Sequence, residues 1–438
     1  MSQEPAFRYE GFHADPERGL LLCEYSLGPR KFAEKITFDR TGRWGPAADQ
    51  AARLIFLLAG VSYYKTGAPR VIDLGETPAS DAEREFLRSF YLDGLGEFGY
   101  RNHLDLSGLR IEGGKPPQPA SPGGGPSRGV LIPFGGGIDS IVTVEMMRPH
   151  ANAALFVMSQ PGDRFAAIER PAAVTGLDIV RAEREIDPQL LRSAELGFLN
   201  GHVPITGILS AIAVMAALLD GRNAVVMSNE WSASAATLEA DGRAINHQYS
   251  KSAAFESGFR QVCAGAFGGQ LAYFSALRPF TELWVARKFA ALTQYHSTFR
   301  SCNRAFSTNP ALRPGHWCGR CDKCCFIDLI LAPFLPAAEL RTIFAGAEPL
   351  ADPELAGTFR ALLGTGAAKP FECVGEVSEC RAAAVLAAGR PDRAGAQLLH
   401  ALVAELPGQP GPDAIAGLLR PVGEHAIPDA YATADLLV

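Results

Sequence analysis

The 438-residue sequence has no surplus of positive charge: 41 Lys and Arg stand against 47 Asp and Glu, a formal net charge of -6. That balance removes any global pull toward nucleic acid or anionic lipid. The opening Met1-Ser2-Gln3-Glu4-Pro5 lacks a basic start followed by an apolar run, so it does not read as a signal peptide. Nor does any apolar stretch reach the roughly 20 residues of a membrane-spanning helix. The longest, Val203 to Leu219, is interrupted by Pro204, Thr206, Gly207 and Ser210 and reads as a buried helix. Charged residues are sparse, 20% against 47% hydrophobic, which leaves ample material for a core. These features predict a cytoplasmic globular protein of two or three domains, at about 150 residues each, with no nucleic-acid or membrane partner.

Composition then shifts along the chain. Residues 1–111 read as an α+β unit, with strand-like Leu20-Leu21-Leu22-Cys23-Glu24-Tyr25 and Lys35-Ile36-Thr37-Phe38 and helical segments at Ala51–Leu58 and Asp81–Leu92. Residues 112–128 are rich in Gly, Pro and Ser and read as a linker. From 129 to 326, short apolar runs (Val130–Ile132, Ala154–Met158, Asp178–Val180, Ala224–Met227 and Ala272–Ser275) alternate with helix-length segments. That alternation predicts an α/β fold, a parallel sheet with helices on both faces. Residues 327–438 turn Ala/Leu-rich and read as a helical C-terminal region.

The segment Val130-Leu131-Ile132-Pro133-Phe134-Gly135-Gly136-Gly137-Ile138-Asp139-Ser140 carries the most chemistry. A strand ends, three glycines turn the chain, and Asp139-Ser140 opens an apolar helix. Backbone N–H groups in such a turn approach an anion closely, and the helix N-terminus adds free donors and a favourable dipole. Ser140 suits a phosphate oxygen; Asp139 suits a helix cap or a magnesium ligand. The Lys-Ser/Thr of a Walker loop is absent, as is the G-x-G-x-x-G dinucleotide pattern. The segment resembles the PP-loop of ATP pyrophosphatases, Ser-Gly-Gly-x-Asp-Ser, with Gly135 in place of the leading Ser. The resemblance implies ATP, cleaved between its α and β phosphates, and Gly135, Gly136, Gly137, Asp139 and Ser140 as its binding residues.

Nine cysteines without an export signal, four of them within residues 318–325, speak for metal or chemistry, not disulfides. Cys318-x-x-Cys321-x-x-Cys324 plus the distant Cys302 supplies four thiolates for a structural zinc. An iron–sulfur cluster fits the same spacing, and Cys325 can stand in for Cys324. Leu277-Arg278-Pro279-Phe280-Thr281-Glu282-Leu283, Ser301-Cys302-Asn303 and the cysteine run resemble the C-terminal part of 7-cyano-7-deazaguanine synthase, another PP-loop enzyme with a four-cysteine zinc site.

Narrower resemblances lie in Gly201-His202-Val203-Pro204-Ile205-Thr206, Val226-Met227-Ser228-Asn229-Glu230, Asn246-His247-Gln248-Tyr249-Ser250-Lys251-Ser252 and Lys369-Pro370-Phe371-Glu372-Cys373-Val374-Gly375-Glu376. With Arg101-Asn102-His103-Leu104-Asp105, they are similar to the UDP-N-acetylmuramoyl-L-alanyl-L-glutamate epimerases. One departure is Ile138, where a Lys is expected. The resemblance implies ATP-dependent inversion of the terminal L-Glu of UDP-MurNAc-L-Ala-L-Glu through an acyl-adenylate, with Mg2+, in peptidoglycan precursor synthesis. Glu230, His202, His247 and Cys373 are the proton-transfer candidates; Ser228 and Asn229, at a strand end, join the nucleotide set. Tyr249, Lys251 and Lys369 are candidates for substrate binding. The rivals are a nucleobase- or tRNA-modifying PP-loop enzyme and a non-enzymatic zinc-knuckle protein.

Overall fold

In the computed structural model, residues 5–42, 44–117, 127–150, 152–240, 242–307, 309–366 and 368–436 are described. Twelve strands form among them: β1 Ala6–Asp15, β2 Leu20–Leu27, β3 Arg30–Phe38, β4 Val71–Asp73, β5 Arg110–Glu112, β6 Ser127–Pro133, β7 Ala153–Ser159, β8 Ile179–Glu185, β9 Arg222–Met227, β10 Leu238–Ala240, β11 Arg243–Ile245 and β12 Ala272–Ser275. Ten of them make one mostly parallel sheet in the order β12-β9-β6-β7-β8-β3-β2-β1-β4-β5, and β10 and β11 pair as a separate hairpin.

The parallel half, β12 to β8, is covered on both faces. Alternation along each strand divides its residues: Val130 and Ile132, like Leu155 and Val157, enter one apolar cluster, while Leu131, Ala154 and Phe156 enter the other. On the face of Leu131, Ala154 and Phe156 the helices Pro46–Ala59 and Ile205–Leu219 pack together, the latter being the apolar run broken by Pro204. No helix among the described residues is long and apolar enough to cross a membrane. On the other face lie the helices Ile138–Met147, Glu282–Ala290 and Asp322–Leu331. After residue 331 the described chain forms helices and short turns but no strand.

The first 111 residues share this sheet. β3 pairs antiparallel with β8, Lys35 opposite Glu185 and Phe38 opposite Ala182. At the junction the carboxylate of Glu34, fully buried, accepts two hydrogen bonds from Arg184 at 2.7 and 3.0 Å and one from Tyr63 at 2.8 Å. A charge so enclosed persists because each of its oxygens is paired. The meander β1–β3 is covered on one face only. Phe7, Tyr9, Leu21, Tyr25, Phe32 and Ile36 point into the core, while Glu10, Glu24 and Lys35 face solvent. Of the segment read as a linker, residues 118–126 lie outside the described residues. Glu112 ends β5, Lys115 bridges to Pro78, and β6 begins at Ser127.

Candidate active site

A cavity of 460 Å³ opens beyond the carboxyl ends of β6, β7 and β9. Its floor is the turn from β6 into the helix Ile138–Met147, with Gly135, Gly137, Asp139 and Ser140 on the wall. Gly136 is not on the wall and serves the turn instead. Its φ is +76°, and a Cβ there would sit 2.3 Å from the Ala167 carbonyl oxygen. Gly136→Ala is therefore expected to cost on the order of 3 kcal/mol, strain and overlap together. Thermal unfolding checks this, and an unchanged midpoint would mean that the turn can shift. At Gly135 a Cβ meets nothing within 4 Å, so a side chain fits there. Ser140 Oγ donates to the Gly137 carbonyl at 3.1 Å. Ile138 is buried in the core, and cations reach the same wall from elsewhere: Lys251, Arg300 and Lys323 all line it.

Ser228 and Asn229, directly after β9, form the second side of the cavity. Ser275 pins them: its Oγ accepts from the Asn229 N–H at 2.7 Å and lies 2.6 Å from the Asn229 carbonyl. Ser228 Oγ is buried without a protein partner. Glu230 turns behind the wall and meets Asp139 and Glu282, one carboxylate oxygen of each within 4.8 Å of the others. Asp139 Oδ1 and Glu282 Oε2 are buried with no hydrogen-bond partner. Burial and the neighbouring Glu230 charge push the Asp139 carboxyl up to about 6, and burial and Asp139 raise Glu282 well above the usual range. Three carboxylates converging with orphaned oxygens make a set of donors suited to a hard divalent cation.

Arg278 holds two parts of the wall in place. Buried and 2.8 Å from the Glu256 carboxylate, it donates to the Glu230 carbonyl at 2.8 Å and to the Lys251 carbonyl at 2.6 Å. Arg278→Leu strands the Glu256 charge in the interior. Urea denaturation is expected to show a loss of about 3–5 kcal/mol, and a loss below about 1 kcal/mol would mean that Glu256 finds another partner.

Cys373 closes the cavity from the C-terminal part of the chain. Lys251 Nζ lies 3.3 Å from its sulfur, the His247 ring faces the same sulfur, and Lys323 Nζ donates to its backbone carbonyl. Burial opposes the thiolate, but Lys251, His247 and Lys323 outweigh it and bring the thiol down to about 7. For His247, burial works against the charge, while Cys373 and Glu97 carry it up to about 9. His202, its ring centroid 4.2 Å from that of His247, is driven down to about 4 by burial and by the His247 charge. Neither histidine is on the cavity wall. Tyr249 is also off it, packed edge-on against Phe255 in the core, and Lys369 pairs with Glu376 at 3.0 Å.

Beside the cavity, the sulfurs of Cys302, Cys318, Cys321 and Cys324 converge within 4.8 Å of one another, with Cys324 3.5 Å from both Cys318 and Cys321. Gly319, at φ +69°, makes the sharp turn between them. Cys325 is buried one position further along the helix Asp322–Leu331 and is not in the cluster. Sequence reasoning did not single out Glu97, Glu282, Arg300 or Lys323 as site residues. Lys323 sits within the cysteine run and Glu282 within the block Leu277–Leu283; Glu97 carries no local signal.

An α/β sheet with titratable side chains gathered at the carboxyl ends of its parallel strands is the build of an enzyme. Comparison with known families makes this particular. The MurL N-terminal domain matches residues 1–276 and the MurL C-terminal domain matches residues 298–416. A protein of Xanthomonas oryzae pv. oryzae named UDP-N-acetyl-alpha-D-muramoyl-L-alanyl-L-glutamate epimerase is 38% identical, over 98% of this chain and 96% of its own. Proteins with the same name from Salinispora tropica and Micromonospora sp. are each 36% identical over 98% of this chain, covering 95% and 97% of theirs. The chain belongs to the MurL family and is an epimerase, an isomerase-type enzyme.

Proposed function

We propose that this enzyme inverts the terminal L-glutamate of UDP-MurNAc-L-Ala-L-Glu to D-glutamate at the expense of ATP, releasing AMP and pyrophosphate, in the cytoplasm. The observation that carries the reading is a single cavity in which the glycine turn, Ser228-Asn229, three cations and a low-pKa thiol meet. The glycine turn with Ser140 would take the phosphates in PP-loop fashion, and Lys251, Arg300 and Lys323 would supply the cation that Ile138 does not.

The glutamate α-hydrogen next to a carboxylate is very weakly acidic, because its removal builds a dianion. Attack of that carboxylate on the α-phosphorus of ATP releases pyrophosphate and leaves an acyl-adenylate, whose carbonyl no longer bears the carboxylate charge although the AMP phosphate keeps its own. The Cys373 thiolate then takes the α-proton, and the Lys251 ammonium beside it offsets the charge that develops on the enolate oxygen. A proton returned on the opposite face completes the inversion, and water cleaves the adenylate to AMP and product. His202 remains the titratable candidate for that return, off the cavity wall beside His247, while Glu230 falls in the carboxylate set with Asp139 and Glu282. Asp139, Glu230 and Glu282 would hold Mg2+, which supplies charge neutralisation for the polyphosphate. Cys302, Cys318, Cys321 and Cys324 would hold a structural zinc.

The test is incubation of purified protein with ATP, magnesium and the UDP-MurNAc-dipeptide, following AMP release and the chirality of recovered glutamate together. D-Glutamate with AMP, neither forming without the muramoyl dipeptide, is the expected result. AMP without inversion would move the substrate elsewhere. No AMP from folded protein would remove the adenylation step.

A further inference from the structure

We propose that Glu97 is a positioning residue for the inversion: through His247 it holds an imidazolium against Cys373, completing a Glu97–His247–Cys373 relay from three distant stretches of chain. The inference rests on the role given to Cys373 above and extends it to a carboxylate in the first 111 residues.

Glu97 belongs to the short helix Gly96–Arg101 and is only 6% exposed. One carboxylate oxygen, Oε2, meets His247 Nδ1 at 2.5 Å; the other accepts from Arg101 Nε at 2.6 Å. A carboxylate on Nδ1 fixes the ring's orientation and stabilises its charged form, as in the third member of a nucleophile–base–orienter set. The Cys373 thiol is the ring's other hydrogen-bonding and charged neighbour. Phe371, two residues before Cys373, lies 6.3 Å from the His247 ring and carries the Arg101 guanidinium on its face at 4.9 Å. Glu97, Arg101, His247 and Phe371 thereby form one packed unit, two residues from Cys373.

Every charged group around this unit has a definite sign. Facing His247 are Glu97 with Arg101 behind it, His202 with Lys65 beyond, and Cys373. Facing Cys373 are Lys251, His247 and Lys323. Glu97 is the only carboxylate among the described groups that touches His247, so its removal deprives the imidazolium of its anion. The sign follows. His247 is raised to about 9 in the presence of Glu97, and without it the ring loses its proton at lower pH. Above that pH the thiolate loses one of its cations, and the alkaline limb of the rate profile moves down with it.

The experiment is Glu97→Gln, close to isosteric, compared with wild type in two readouts. One is the kcat–pH profile for glutamate inversion. The other is the NMR titration of the His247 ring, assigned by comparison with His247→Gln, which needs no turnover. The expected result is a His247 pKa lowered by about one unit or more, an alkaline kcat limb lowered to match, and kcat reduced roughly tenfold or more at pH 8. Pyrophosphate exchange into ATP, which reports adenylation alone, should hardly change. Arg101→Gln removes the partner of the other Glu97 oxygen, leaves the Glu97–His247 contact in place and should not lower the His247 pKa. A His247 pKa that does not move in Glu97→Gln overturns the relay, as does one that moves while the kcat limb stays in place. Failure of the adenylation reading is separate: it would appear as absence of exchange in wild type, with the ring titration unaffected.

Discussion

Cys373→Ala is expected to lower the rate of glutamate inversion by a factor of about 10²–10⁴, the usual contribution of a positioned general base. It should leave pyrophosphate exchange into ATP close to wild type. The separation of the two steps follows from where the residues stand. The glycine turn and Ser228-Asn229 line the cavity from β6 and β9, and Cys373 reaches it from the C-terminal part of the chain through its contact with Lys251. Removing the sulfur takes away the group that accepts the α-proton but no donor to the phosphates. Cys373→Ser is the sharper variant, because it keeps the shape and replaces a thiol near 7 by a hydroxyl far too weakly acidic to ionise at that pH. Racemisation in the serine variant at more than about a tenth of the wild-type rate would sink the thiol base and shift attention to Lys251. Solvent deuterium incorporation at the glutamate α-carbon gives the same answer without depending on complete turnover.

What was legible in the sequence follows from how locally each feature is encoded. The alternation of apolar runs and helical segments after residue 129 gave the parallel strands, since a strand buried on both faces reads as a continuous apolar run. Gly135 to Ser140 and Cys318 to Cys324 announce themselves because their chemistry is packed into windows of a single turn. The continuation of the sheet into the first 111 residues is not encoded in any window. It depends on β3 finding β8, Lys35 opposite Glu185, and on Glu34 meeting Arg184 across 150 positions of sequence. Glu97 was invisible for the same reason: its site partner His247 is 150 residues away. Tyr249 and Lys251 show the finer difficulty. They flank a short 3-10 turn, which sends the first into the core against Phe255 and the second to the cavity wall, a division that composition cannot foresee. Ile138 reads as a lost cation when the loop is considered alone. Lys323, which follows the cysteine knuckle, reaches the same cavity.

That last contact gives the cysteine cluster a consequence beyond its own fold. Cys324→Ser is expected to abolish zinc retention, and structural zinc in small domains contributes on the order of 10 kcal/mol. Residues 303–317 would then lose their tie, and the effect would spread along three bonds to the cavity. The Arg300 N–H donates to the Gly136 carbonyl at 3.0 Å, Asn303 Nδ2 donates to Glu372 at 2.8 Å, and Lys323 holds the Cys373 carbonyl. The cysteine knot thus braces both the phosphate turn and the strap that carries the thiol. Chelation or Cys324→Ser should therefore lower the thermal midpoint by many degrees, raise the KM for ATP and slow inversion together, where Cys373→Ala affects inversion alone. Cys325→Ala is the control. It trims a buried thiol outside the cluster and should cost about 1 kcal/mol with one zinc per chain retained. Metal content by atomic emission, read beside the melting curve, decides the assignment. Zinc lost from Cys325→Ala but kept in Cys324→Ser would exchange the two ligands, and iron in place of zinc would replace the knot by a cluster.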